Sequence, residues 1–314
     1  MPKDPSAAWK VRHQRWLRYV RQSLRAMEAG KTIPLGPSSK PLVALSGPSP
    51  HGKPIRVVLC SPHPDDEALI GALALRLRLE CSAVVTNCAI TLGSNADRRA
   101  GRLRELDSAC QVLGFNLVVA NPPWGFERVT LHNRQNQPEE WAAKVQALSE
   151  ALEREEPDAV FAPHAEDFNT THVGTHYLVT EALGAYLART GRGPLPFIET
   201  EFWHANPHPN LMIGLSAEVE ATLIMAAAEH GGEVARNPYH LRHLGRMIDN
   251  VRLGSEVVGG QGGPAYAFPF AELYRVAWMF GKEWVEPAPG GRAIGPEEKI
   301  DFADLLKHFW PKGR

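Results

Sequence analysis

Short β-branched runs alternate four times with longer helical segments between residues 55 and 189. The expected strands are "IRVVLC", "SAVVTNCAI", "NLVVA" and "DAVFAP", and the expected helices cover residues 67–79, 95–113, 138–155 and 172–189. Asn95 is a suitable N-cap for the second helix, and Gly114 is a suitable stop. A strand followed by a helix, four times in succession, predicts an α/β fold with a mainly parallel sheet, right-handed crossovers and helices on both faces.

The remaining chain predicts three parts around this repeat. We expect residues 1–54 to form an arm and a linker, residues 55–280 the main domain, and residues 281–314 a tail that packs on that domain. Within the domain, "FIETEFWHA" and "PNLMIGLS" predict two more strands, residues 217–230 and 238–250 two more helices, and "AELYRVAWMF" an ordered, partly apolar element.

The arm contains "WKVRHQRWLRYVRQSLRAM", in which apolar residues recur at helical spacing with arginines between them. This pattern predicts an amphipathic basic helix. Packing on the body or on another subunit is the favoured interpretation, so a homo-oligomer is one expectation. A position on a membrane surface is the less favoured alternative.

Charge and cysteine content restrict the function further. The 34 Lys and Arg residues against 35 Asp and Glu residues give a formal net charge of -1, which favours neither nucleic acid nor an anionic membrane as a partner. The four cysteines form no Cys-x-x-Cys pair, which argues against disulfides and thiolate zinc sites. Without a signal-peptide pattern or a long apolar stretch, we expect a cytoplasmic protein that acts on a small molecule.

Ionisable residues are concentrated in "PHPDDE", directly after the first strand. His63 and Asp66 lie three positions apart in a turn that enters a helix, so their side chains can converge above the carboxyl end of the sheet, where ligands bind in such folds. A histidine from "PHAEDFNTTH", after the fourth strand, would complete a three-ligand site of the kind that holds catalytic zinc. Asp65 would then be the general base. The alternative is that the acidic residues only stabilise a helix N-terminus.

Four motifs in this order resemble the PIG-L/LmbE-like family of zinc-dependent N-deacetylases: "PHPDDE", "TLGSN", "RLRELDSACQVLG" and "PHAEDFNTTH". The resemblance covers residues 55–177 well and "AELYRVAW" more thinly. It implies a Rossmann-like fold and removal of acetyl groups from N-acetylglucosamine-containing molecules, although some members act on other amides. It also implies that His63, Asp66 and His172 bind Zn²⁺, with Fe²⁺ as the other metal to consider, and that Asp65 is the general base.

The chain departs from the family in the last motif. The family has His-x-Asp-His there, and this sequence has Asn169 and Thr171 in place of the first histidine and the aspartate. An asparagine amide can donate a hydrogen bond to an oxyanion, but it cannot transfer a proton at neutral pH. We therefore expect Asn169 to stabilise the oxyanion, and Asp65 to carry out both proton transfers.

Four further residues are candidates for substrate binding. Arg98 and Arg102 lie in the region that holds substrate in the family, although a solvated helix face explains them almost equally well. Trp124 could stack on a sugar ring or pack in the core. His164 could reach the site, but a hydrogen-bonded structural histidine is the plainer interpretation.

The sequence thus predicts a hydrolase that removes an N-acetyl or other N-acyl group from an amino-sugar-containing small molecule. One alternative is an amidase that acts on a non-sugar natural product or a thiol conjugate. The other is a catalytically silent, metal-containing protein that binds carbohydrate. Retention of Asp65 argues against a silent protein, because binding alone does not require a carboxylate beside the ligands.

Overall fold

The computed structural model describes residues 5–39, 44, 47 and 53–313, so part of the predicted linker lies outside the described residues. Met1–Leu35 and Gly36–Arg314 form separate compact units. The first unit contains helix α1 (Pro5–Gly30), where the sequence predicts the basic helix. The predicted boundaries after residues 54 and 280 stay predictions.

The second unit is built on one sheet with helices on both faces. Its strands are β1 (Arg56–Ser61), β2 (Val84–Ala89), β3 (Asn116–Val119), β4 (Ala159–Pro163), β5 (Leu195–Thr200), β6 (Leu211–Leu215), β7 (Phe270–Phe280), β8 (Glu283–Val285) and β9 (Arg292–Ile294). Its helices are α2 (Asp66–Leu69), α3 (Ala72–Cys81), α4 (Ala96–Leu113), α5 (Leu131–Asn136), α6 (Pro138–Glu155), α7 (Thr170–Thr190), α8 (Ala217–Glu229), α9 (Gly231–Val234), α10 (His240–Val257) and α11 (Phe302–His308).

The strand order is β3-β2-β1-β4-β5-β7-β6-β9, with β8 paired to β7. Strands β1 to β5 are mutually parallel, and β7 runs antiparallel to both β5 and β6. The predicted α/β fold with a mainly parallel sheet is confirmed. The order reverses between β1 and β4, and open α/β sheets bind ligands at such a switch point.

Alternate residues of β1 supply the two faces of the sheet, as strand geometry requires. Val57 and Leu59 pack in the apolar core under α3, α4 and α8, whereas Val58 and Cys60 pack in the core under α6 and α7. Because β1 is apolar on both sides, it lies in the middle of the sheet. The turn that follows it is therefore anchored by a strand that is buried from Val57 to Ser61.

The helix predicted over residues 67–79 is interrupted, since α2 ends at Leu69 and α3 begins at Ala72. Gly71 lies at the break, where an added Cβ would come within 2.4 Å of the Glu67 carbonyl oxygen. The distant strand β7 supports the break, because Glu272 accepts a hydrogen bond from the Ala72 amide at 3.0 Å. Tyr274 of the same strand accepts one from the Leu73 amide at 2.8 Å. The start of α3 is thus bonded to side chains instead of to a preceding helical turn.

Candidate metal centre

Three side chains meet at the carboxyl ends of β1 and β4. His63 and Asp66 come from the turn after β1, and His172 comes from the first turn of α7, after β4. One donor atom from each residue lies within 4.8 Å of the others, in an arrangement that could hold a metal ion. The Nδ1 atom of His63 is 3.2 Å from Nε2 of His172, and that Nε2 is 3.4 Å from Oδ2 of Asp66.

The donor set fits a metal ion chemically. The Oδ1 atom of Asp66 is buried and has no hydrogen-bond partner among the described residues. Burial alone would raise the pKa of Asp66, but His172 and His63 outweigh burial and lower it, so the carboxylate is ionised. A buried carboxylate with a free oxygen beside two imidazoles is a typical ligand set for a divalent transition metal.

Asp167 orients His172 from the side opposite Asp66. Its Oδ2 atom lies 3.4 Å from Nδ1 of His172, which leaves Nε2 facing His63 and Asp66. Burial would lower the pKa of His172, but Asp66 and Asp167 outweigh burial and raise it to about 9. Histidine ligands are commonly held in this way by a second carboxylate. Sequence reasoning missed Asp167, although its position five residues before a candidate ligand in the same loop was a usable signal.

Asp65 lies next to the three candidate ligands and is almost fully buried. Its φ of 108° is unusual for a residue other than glycine. Two contacts hold it there: its amide donates to Oε2 of Glu67 at 2.9 Å, and its Oδ2 accepts from the Tyr239 hydroxyl at 2.5 Å. Burial and the charge of Asp66 raise the pKa of Asp65 to about 7. This range suits a group that both accepts and donates a proton near neutral pH.

Glu67, whose carboxylate accepts the hydrogen bond from the Asp65 amide, is itself held by a buried histidine. Its Oε1 atom lies 2.6 Å from Nε2 of His230, and both side chains are fully buried. Burial alone would lower the pKa of His230, but the Glu67 carboxylate outweighs burial, so the pKa is raised. Sequence reasoning missed both His230 and Tyr239, because each comes from a helical region that carries no motif for this chemistry.

Asn169 caps α7 in the structure. Its side-chain oxygen accepts hydrogen bonds from the amides of Thr171 at 2.9 Å and His172 at 3.4 Å. The same amide group therefore shapes the turn that presents His172. Because the oxygen is used in the cap, the NH2 half of the side chain is the half suited to donate to an oxyanion. That catalytic role stays a prediction.

A cleft of 460 Å³ opens beside His63 and Thr171. Its wall includes Thr91, Arg99 and Arg102. Arg102 donates to the Pro64 carbonyl at 3.0 Å, and its buried Nε has no hydrogen-bond partner among the described residues. The structure thus brings Arg102 to the site together with Arg99, which sequence reasoning did not select.

The other three substrate candidates lie outside the lining of this cleft. Arg98 pairs with Glu233 at 2.5 Å, and Trp124 lines two other surface cavities. His164 is buried, and its Nε2 donates to the carbonyl oxygen of His204 at 3.1 Å. Burial lowers the pKa of His164, which agrees with a neutral, hydrogen-bonded histidine. Roles in substrate binding for these three residues stay predictions.

The family resemblance is confirmed for the central part of the chain. Residues 58–183 match the model of the family described as PIG-L: GlcNAc-PI de-N-acetylase. The matched segment contains His63, Asp65, Asp66 and His172. The comparison with curated proteins gives no match.

Solved structures with the same fold include enzymes of more than one kind. A deacetylase from the teicoplanin biosynthesis pathway is 13% identical, with a TM-score of 0.52 over 72% of this chain and 98% of that chain. The N,N'-diacetylchitobiose deacetylase of Pyrococcus horikoshii is 14% identical, with a TM-score of 0.50 over 72% and 84%. The 4-carboxy-2-hydroxymuconate hydratase GalB of Pseudomonas putida KT2440 is 16% identical, with a TM-score of 0.52 over 71% and 95%. At such identities the likeness shows the fold alone.

Proposed function

We propose that this protein, whose residues 58–183 match the PIG-L family of GlcNAc-PI de-N-acetylases, is a metal-dependent hydrolase that removes an N-acyl group from an amino-sugar-containing small molecule. The observation that carries the proposal is the position of Asp65. A buried carboxylate stands beside the three candidate ligands and is held by Tyr239 and Glu67. A site that only binds a metal does not require this additional acid.

Zinc is the metal we propose for His63, Asp66 and His172, with ferrous iron as the alternative. Two imidazoles and one carboxylate form a ligand set that leaves a coordination position open for chemistry. A zinc ion there would supply a Lewis acid that lowers the pKa of water and polarises the acyl carbonyl. Asp167 would keep the Nε2 atom of His172 turned towards the ion.

Asp65 is the proposed acid and base. It accepts a proton from the attacking water, and it later returns a proton to the leaving amine, so the amide C–N bond breaks to give a carboxylate and a free amine. The Tyr239 hydroxyl fixes the direction of the Asp65 carboxylate through the bond to Oδ2. The other oxygen of that carboxylate is then the one that exchanges protons with the substrate.

Asn169 is the proposed donor to the oxyanion of the tetrahedral intermediate. Its oxygen is held by the first turn of α7, so the direction of its NH2 group is also constrained. A donor that is oriented before the substrate arrives stabilises developing charge more effectively than water does. Since asparagine does not titrate, proton transfer remains with Asp65.

The cleft beside His63 favours a polar substrate. Its lining residues include Arg99, Arg102 and Thr171, whose side chains end in guanidinium and hydroxyl groups. Such groups can hydrogen-bond to the hydroxyl groups of a sugar ring, and the cleft volume of 460 Å³ lies within the usual range for small-molecule sites. An N-acetylated amino sugar satisfies both requirements.

The test is a screen for primary-amine release from N-acetylated mono- and disaccharides and from non-sugar amides, using the full chain loaded with zinc. Release from the sugars that stops with a chelator, and that falls by about 10²-fold or more in the metal-bound Asp65→Asn variant, would support the proposal. Release from non-sugar amides alone would favour the amidase alternative. Metal-dependent sugar binding without amine release would favour the silent carbohydrate-binding protein and overturn the hydrolase.

A further inference from the structure

Helix α1 presents a mainly apolar face, in which His13 lies between Val20 and Leu24. At 100° per residue, Trp9, Trp16, Val20, Leu24 and Met27 fall on one side of the helix. These side chains are large, and their exposed fractions range from 37% to 66%. An apolar face of this length with this degree of exposure is typical of a surface that binds a partner.

The charged residues on the rest of the circumference of α1 are mainly basic, although Val11 and Tyr19 are also exposed there. Its cations are Lys10, Arg12, Arg15, Arg18, Arg21 and Arg25, and Glu28 is the one acidic residue within Pro5–Gly30. The arm also differs in charge from the remaining chain. Residues 1–35 contain eight Lys and Arg and two Asp and Glu, whereas residues 36–314 contain 26 and 33. The positive charge is therefore local, and the formal net charge of -1 for the whole chain conceals it.

We propose that α1 binds in the plane of an anionic lipid bilayer surface. The apolar face would enter the boundary between the headgroups and the acyl chains, and the arginines would remain among anionic headgroups. Trp9 and Trp16 are well suited to this boundary, because tryptophan combines a large apolar ring with a polar NH group. Within the described residues there is no helix with the length and apolarity needed to span a bilayer, so α1 would lie on the surface.

Charge and sequence spacing favour lipid over a second copy of the chain. Two α1 helices packed through their apolar faces would combine twelve cations in one dimer without neutralising them, whereas anionic lipid neutralises them. A coiled-coil seam through Trp9, Trp16, Val20 and Met27 would also include His13 and Ser23, which interrupt its apolar character. The apolar face of α1 is thus broad enough for a membrane surface but poorly patterned for a helical dimer. The proposal thus differs from the interpretation favoured by the sequence, which was packing on the body or on another subunit.

The test is flotation of the full chain with phosphatidylcholine vesicles, with and without phosphatidylglycerol. We expect binding that requires phosphatidylglycerol and that weakens as salt rises. Two variants, each of which introduces one negative charge, test the two faces of the helix independently. Gln14→Glu lies on the basic face and should lower the partition coefficient about fivefold. Trp16→Glu lies on the apolar face and should lower it at least about tenfold further.

Two controls make each outcome decisive. Circular dichroism and metal content of both variants are measured to establish that the fold and the metal site are intact, and vesicle binding is read independently of hydrolase activity. Absence of binding by the folded wild-type chain, or an equal loss in both variants, would overturn the proposal. A concentration-dependent dimer that Trp16→Glu abolishes, without any vesicle binding, would identify a second copy as the partner instead.

Discussion

The hydroxyl group of Tyr239 donates a hydrogen bond to Oδ2 of Asp65 at 2.5 Å, although 174 positions separate the two residues. Tyr239 directly precedes α10, and Asp65 precedes α2. Trp203 packs against the Tyr239 ring with an interplanar angle of 82° and restricts its movement. The proposed base is therefore oriented by a residue outside the segment that matches the PIG-L family.

Loss of this contact should affect catalysis more than substrate binding. We expect Tyr239→Phe to lower kcat about tenfold, because the Asp65 carboxylate loses a directing donor, and to leave KM within about twofold. Asp65→Asn should lower kcat by about 10²-fold or more with metal retained. Trp203→Phe is the control, since it changes the packing but keeps the hydroxyl. Wild-type kcat in Tyr239→Phe would show that the hydrogen bond has no catalytic role.

Metal content should depend on His172 and not on a nearby histidine. We expect His172→Ala to reduce bound metal from about one ion per chain to about a tenth of that or less, because one of three protein ligands is removed. His204→Ala is the matched control, since this exposed histidine lies near His164 and is outside the ligand group. Elemental analysis after dialysis measures both. Equal metal content in the two variants would place the metal elsewhere.

The two roles of Asn169 can be separated by substitution. Asn169→Ala should destabilise the fold by about 1 kcal/mol through loss of the α7 cap, and should lower kcat by about 10²-fold through loss of the amide donor. Asn169→Asp keeps a capping oxygen and should retain the melting temperature, yet it should lose a similar factor in kcat. Thermal unfolding and amine release are the measurements. If Asn169→Asp is as active as wild type, the side chain is a cap only.

Arg102 and Arg98 should behave differently, although they occupy the same helix. Both arginines pair with Glu233, Arg98 at 2.5 Å and Arg102 at 3.7 Å, but only Arg102 also lines the cleft beside His63. We expect Arg102→Gln to raise KM about tenfold or more, since a charged hydrogen-bonding group is lost from the cleft. Arg98→Gln should leave KM unchanged. Steady-state kinetics with the substrate found in the amine-release screen decide between them, and the reverse order would disprove this assignment of the cleft.

Glu272 should make the folded state less stable as the pH rises. Burial raises the pKa of Glu272 to about 7 from 4.5, so the folded state holds its proton more tightly than the unfolded state does. This contribution to the free energy of unfolding is complete below pH 4.5. It is lost as the pH rises through about 7, and its size is about 3 kcal/mol. Glu272→Gln should remove this part of the decline. Melting temperatures of both proteins at pH 5 and pH 8 test it, and parallel curves would contradict the prediction.

Local signals predicted much of the fold. Asn95 and Gly114 bound α4 as the sequence indicates, and the helix expected over residues 138–155 matches α6. The motifs also indicated which side chains the structure brings together at the ends of β1 and β4. The interruption between α2 and α3 was not predictable in the same way. It depends on Glu272 and Tyr274, which lie about 200 positions away and become neighbours of Ala72 only after the sheet has formed.

The family match ends at residue 183, inside α7, while the turn after β1 is held by side chains that lie beyond that limit. Tyr239 holds Asp65, and Glu272 and Tyr274 hold the start of α3. A chimera that received only residues 58–183 would carry all three candidate ligands into a host without these supports. Transplanting the proposed activity into a relative would therefore require exchange of the matched segment together with the region from Tyr239 to β7. The smallest part of the molecule that could be transferred together with these contacts is therefore not one continuous stretch of chain.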